Sequence, residues 1–234
     1  MHKSTFRSMI LATVLGLAPA LAVATPITVS QTGGSIFAGG SGNVTITEAT
    51  LLPGGLHVGA GGFGLTTPTL GGNFVAWCLD ITAGISLPDL YEVTTAPFST
   101  RLLSSLQIGN IERLYETVFS TLNLANNNQS AGFQLALWEI IYENGTLGLT
   151  TGNFSAGGNA GAIAAGNAFL AGLAGPVTQD YRLTFLESQD GPDRGNLNDD
   201  QHLVTASAVP LPAAGLLLLA GLGGLAALRR RKVA

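Results

Sequence analysis

The hydrophobic period of this chain changes near Asn110, and that change constrains the fold more than any other feature. Upstream, "ITVSQTGGSIFAGGSGNVTITEATLL" alternates apolar and polar residues between glycine turns, the two-residue period of half-buried strands. "NFVAWCLDI" (Asn73–Ile81) is an apolar run suited to a buried strand, and "YEVTTAPF" is a further strand candidate. From Asn110 onward, Ile111, Leu114, Tyr115, Val118, Phe119 and Leu122 recur at the spacing of one helix face, with Asn110 as the expected cap. A second helix is expected after Ser130 over "AGFQLALWEIIYE", ended by Asn144–Gly145. "NAGAIAAGNAFLAGLAG" suits a third, weaker one. "YRLTFLE" (Tyr181–Glu187) is the last clear strand and "HLVTA" a further candidate, with the polar "SQDGPDRGNLNDD" between them as loop or linker. The order predicts an α+β fold, mostly antiparallel β with a helical insertion of about three helices. The expected secreted domain is 25–187, followed by a polar linker or last strand over 188–208.

Charge separates the ends from the middle. Only 10% of residues are charged, while glycine numbers 32, a composition common in exported, loop-rich β proteins. Between Thr25 and Ser207 there are four arginines, no lysine and all 14 acids, so this part carries 4 − 14 = −10. Such a field disfavours nucleic acid and anionic lipid surfaces as partners.

Both cationic ends flank apolar runs. Lys3 and Arg7 precede "MILATVLGL", and "AVA" at Ala22–Ala24 follows as a small-residue cleavage site. This is the layout of a secretory signal peptide over 1–24, with an N-terminal signal helix. At the other end, 213–228 is uncharged and would span about 24 Å as a helix. With Val209, Pro210, Leu211 and Pro212 added it approaches the roughly 30 Å of a bilayer core. Arg229, Arg230, Arg231 and Lys232 would then hold the tail inside as a stop-transfer cluster. Proline motif, short greasy helix and arginine cluster, in that order over 209–234, resemble the VPLPA variant of PEP-CTERM sorting tails. The motif is Val209, Pro210, Leu211, Pro212 and Ala213, with Leu211 where the better-known motif has glutamate. The resemblance implies an exosortase-type enzyme as partner and transient anchorage in the inner membrane of a Gram-negative bacterium. Delivery to the cell surface or extracellular matrix would follow.

Cys78 is the sole cysteine of a chain expected to be exported, which suggests either a special thiol or a small buried hydrophobe. Gln134 shares a helix face with Leu137, Trp138 and Ile141. An amide on such a face must find partners, since burying it unpaired costs about 1–3 kcal/mol. Its carboxamide either bonds to backbone or is consumed chemically. "FVAWCLD" followed by "FQLALWEI" resembles the thioester domains of bacterial surface adhesins, with their cysteine strand and TQxA-type helix. Phe133 stands where that motif has threonine. The resemblance implies an internal thioester between Cys78 and Gln134, with Trp77, Asp80, Trp138 and Glu139 around it. That bond would acylate amines or hydroxyls on a cell surface or exopolymer. A middle portion free of lysine suits a protein holding an activated acyl group, as it suits a weakly charged composition.

Other chemistries have thinner support. His57 and His202 show no paired spacing for a metal, and nothing in the sequence orients either toward Cys78 as a base. Asp193, Asn198, Asp199 and Asp200 miss the spacing of a calcium loop. No cofactor is expected, nor a conventional hydrolase. The competing expectation is a passive structural surface protein with an inert buried cysteine.

Overall fold

The computed structural model describes residues 25–94, 102–175, 178–189 and 200–209. The signal peptide over 1–24, Pro210–Ala213 of the sorting motif, the expected membrane helix and Arg229–Lys232 lie outside the described residues. Among the described residues no helix is long and apolar enough to cross a membrane.

The fold is α+β, with antiparallel strand pairing throughout its two sheets. Strands β1 (Ile27–Gln31), β4 (Phe63–Thr67), β5 (Gly72–Cys78), β9 (Leu203–Ala208), β8 (Tyr181–Ser188) and β6 (Asp89–Thr94) close in that order into a barrel. A second sheet pairs β3 (Leu52–Ala60), β2 (Gly42–Glu48) and β7 (Phe154–Gly157). The "HLVTA" segment supplies β9, which pairs with both β5 and β8. The folded unit therefore runs on to Ala208 rather than ending at Glu187, because without β9 the barrel would expose two open edges.

Three helices connect these sheets. Helix α1 (Ser105–Val118) begins five residues before Asn110. Ser104 accepts from the Gln107 N–H while the Gln107 side chain returns to the Ser104 backbone, and this reciprocal capping box outcompetes a cap at Asn110. Helix α2 (Asn127–Tyr142) is capped by Asn126 and buries every residue from Ser130 to Tyr142. A helix apolar on all sides must be enclosed, and α2 is. It lies against β2, β3 and β7 on one side, and Phe133 meets Trp77 of β5 on another, the rings tilted by 39° with centroids 4.4 Å apart. Tyr115 meets Phe133 edge-on at 5.2 Å, and its hydroxyl donates to Val204 O at 3.2 Å. Each such ring pair adds about 0.5–1.5 kcal/mol beyond area burial.

Helix α3 (Ala160–Ala171) covers the remaining face of α2, and the two backbones approach closely. A Cβ on Gly132 would stand 2.8 Å from Gly166 N and 2.9 Å from Ala162 O. The glycine is required there by contact, since its backbone has ordinary helical geometry.

Candidate functional site: Cys78, Gln134 and an apolar cavity

The site begins with a ladder that runs out. Leu79 N–H donates to His202 O at 2.8 Å, so Leu79 turns its peptide groups toward the β9 side. By the alternation of antiparallel pairing, Cys78 turns its own the opposite way. That is the β4 side, where Phe63 pairs with Ala76 and begins β4. Its predecessors Gly61 and Gly62 have left the sheet, and Gly62 N–H donates to Ser130 Oγ of α2 at 3.2 Å. The Cys78 N–H and C=O are thus buried beyond the end of a strand, and buried backbone groups must be satisfied.

Gln134 satisfies both. The Cys78 N–H donates to Gln134 Oε1 at 2.9 Å, and Gln134 Nε2 donates to Cys78 O at 2.7 Å. One carboxamide replaces the missing rung and ties α2 to β5. Both residues are about 1% exposed. The backbone-bonded alternative raised by the sequence is therefore met. The same contact also places the carboxamide beside the cysteine.

The two residues open onto a cavity of about 210 Å³ between the barrel mouth and the three-stranded sheet. Ile46, Leu56, Val58 and Phe63 make its apolar wall, and Asp80, Trp138 and Gln201 also line it. The Cys78 thiol donates to Asp80 O at 2.7 Å. Burial pushes the thiol's pKa well up, and the neighbouring Asp80 charge raises it further. The Asp80 backbone and the Trp138 side chain oppose that shift. The sulfur is held as a neutral thiol.

The remaining expected site residues divide. Asp80 lines the cavity, and its carboxylate accepts from the His202 N–H at 2.6 Å. Trp138 lines it too, whereas Trp77 packs against Phe133 and is absent from the wall. Glu139 does not join the site. It is fully buried on another side of α2, where Oε1 accepts from Gly148 N–H at 2.6 Å. One residue past Trp138 on a helix is a turn of about 100°, enough to point it elsewhere. Desolvation, aided by the Glu143 charge against the Gly148 hydrogen bond, raises its pKa to about 7. His57 is exposed on β3 and bonds Thr45 Oγ1. His202, by contrast, is buried next to the site, its Nδ1 accepting from Ser188 N–H at 3.0 Å. Its place and that of Gln201 follow from strand pairing across more than a hundred residues, which no local pattern displays.

Among the described residues no group of three or more His, Cys, Asp or Glu side chains could hold a metal. Asp193, Asn198 and Asp199 lie outside them, and Asp200 accepts from the Ser86 N–H. Val209, the first sorting-motif residue, is partly exposed just after β9, with its N–H on Asp180 O.

No protein family matches the chain, and no curated protein matches it. Its fold is similar to the N-terminal domain of the pilus tip adhesin Cpa of Streptococcus pyogenes, at 13% identity and a TM-score of 0.41. That likeness covers 77% of this chain and 98% of the other.

Proposed function

We propose that this is an exported surface or matrix protein carrying an internal Cys78–Gln134 thioester, an acyl group kept for covalent attachment to amines or hydroxyls. The observation that carries the reading is the seating of the Gln134 carboxamide on the backbone of the one cysteine, at the head of a largely apolar cavity. In forming the bond, Cys78 Sγ attacks Gln134 Cδ. The S–C bond forms, the Cδ–Nε2 bond breaks, and the thiol proton leaves with the nitrogen as ammonia. Negative charge develops on Oε1 in the intermediate, and the Cys78 N–H already donates to that oxygen at 2.9 Å. The apolar walls limit hydrolysis of the product. Attack by a surface amine or hydroxyl then forms a new bond to Cδ, breaks the Cδ–Sγ bond with its electron pair leaving on sulfur, and returns the nucleophile's proton to that sulfur.

Intact mass of the domain tests this. The reading expects a mass short by one ammonia, replaced on adding methylamine by a mass one CH2 above that of the unreacted chain with the added group on Gln134, and no such deficit in Cys78→Ala. A full-length mass for the folded wild type would exclude the bond.

A passive structural role has its own support: the Gln134 amide is bonded through both its oxygen and its nitrogen, and the thiol is neutral and bonded to Asp80 O. In that case the same contact serves as a clamp between α2 and β5. For delivery, we propose that the tail over 209–234 is recognised by an exosortase-type enzyme, after export and transient inner-membrane anchorage. Support comes from the resemblance of the tail and from the place of Val209, exposed at the close of the barrel.

A further inference from the structure

Trp138 brings to the Cys78 cavity a hydrogen-bond donor that has nothing to donate to. The residue is 3% exposed, and its indole Nε1 is fully buried without an acceptor. An N–H buried without an acceptor costs about 1–3 kcal/mol, a penalty that the indole's packing must offset at this position. Trp138 follows Gln134 by one helix turn on the same face of α2 and lines the cavity together with Cys78. The Cys78 thiol spends its own hydrogen on Asp80 O, which leaves the sulfur lone pairs open to a donor. Trp138 and Cys78 line the same cavity, and the Trp138 side chain opposes the rise in the thiol's pKa that burial and Asp80 cause. Trp77 also has a buried N–H without an acceptor, but it does not line the cavity.

Thioester chemistry puts charge in two places. One is Oε1, where the Cys78 N–H stands. The other is sulfur, which attacks as a thiolate and leaves as one, in surroundings where burial and Asp80 both penalise its charge. We propose that the Trp138 indole N–H is a catalytic hydrogen-bond donor to the Cys78 sulfur, engaged when that sulfur is charged during formation and opening of the bond. This rests on the thioester reading. In opening, the nucleophile's nitrogen or oxygen bonds to Cδ, the Cδ–Sγ bond breaks, and the electron pair stays on sulfur. Trp138 donates to that sulfur until the nucleophile's proton reaches it.

The test is Trp138→Phe, with two measurements. The first is the rate of methylamine opening, followed by intact mass. The second is the rate of iodoacetamide alkylation against pH, on the thiol freed by methylamine. Opening is expected to slow roughly ten- to hundredfold, as for a lost hydrogen bond to a charged group. Alkylation at any pH below its midpoint should fall by roughly tenfold, since less thiolate is present. Unchanged opening overturns the proposal. Slower opening with an unchanged alkylation profile assigns Trp138 to packing and overturns it equally. If the wild type shows no missing ammonia, the thioester reading fails and the catalytic role with it. The thiol is then free from the outset, and its alkylation profile still decides whether Trp138 donates to sulfur. Should Trp138→Phe not fold, replacement by benzothienylalanine, which keeps the ring shape and lacks the N–H, takes its place in both measurements.

Discussion

A Cys78–Gln134 bond would join residues 56 positions apart, and the size of that ring sets how much it should stabilise the fold. In the chain-entropy account, a covalent link over about 56 residues removes unfolded-state freedom worth about 4 kcal/mol. The Cys78 N–H donation to Oε1 at 2.9 Å can persist in the ring, since that oxygen stays on Cδ, whereas the Nε2 donation to Cys78 O is lost with the ammonia. Against a typical domain stability of about 5–15 kcal/mol, the loss is large. Methylamine is the perturbation, since it opens the ring and leaves both side chains in place. The assay is equilibrium urea unfolding of treated and untreated protein. With a slope of about 2 kcal/mol per M, the midpoint is expected to fall by about 2 M. Cys78→Ala should unfold near the opened form and ignore methylamine. Coincident midpoints for treated and untreated wild type, with the missing ammonia verified by mass, would refute the reasoning that the ring constrains the unfolded chain.

Glu139 should make stability depend on pH. Its folded-state pKa stands at about 7 against an ordinary 4.5, so the folded form holds a proton that the unfolded chain gives up. The stabilisation is complete below about pH 4.5, declines from there to about pH 7, and amounts to about 3 kcal/mol. Urea unfolding of wild type and Glu139→Gln should therefore show a difference that moves by about that amount over this window; a constant difference would mean that Glu139 titrates normally. For sorting, replacing Val209–Ala213 with a neutral linker is expected to block processing and surface delivery in a host carrying the sorting enzyme, read by size and cell fractionation. Unchanged size and delivery would sink that reading.

Local patterns in the sequence carried the fold class and the residues of interest. The switch from a two-residue to a helical period separated strands from helices. One cysteine in an apolar strand, and one glutamine on an apolar helix face, stood out because each needs an account of its burial. Where two local signals compete, capping chemistry and helical rotation decide between them. Asn110 suits the start of the apolar stripe, but Ser104 and Gln107 close a reciprocal cap whose first residue lies six positions earlier. Glu139 looked adjacent to the motif because sequence distance ignores helical rotation, and its carboxylate instead faces Gly148. Tertiary structure alone decided the rest, because the deciding contacts are long-range. Barrel closure places β9 beside β5 and brings His202 against Asp80, while β4 begins too late to pair with Cys78. That missing rung leaves two buried peptide groups needing partners, and it draws the Gln134 amide to the cysteine. A local pattern can mark a residue as unusual; which unsatisfied group it meets depends on where the strands of a closed sheet end.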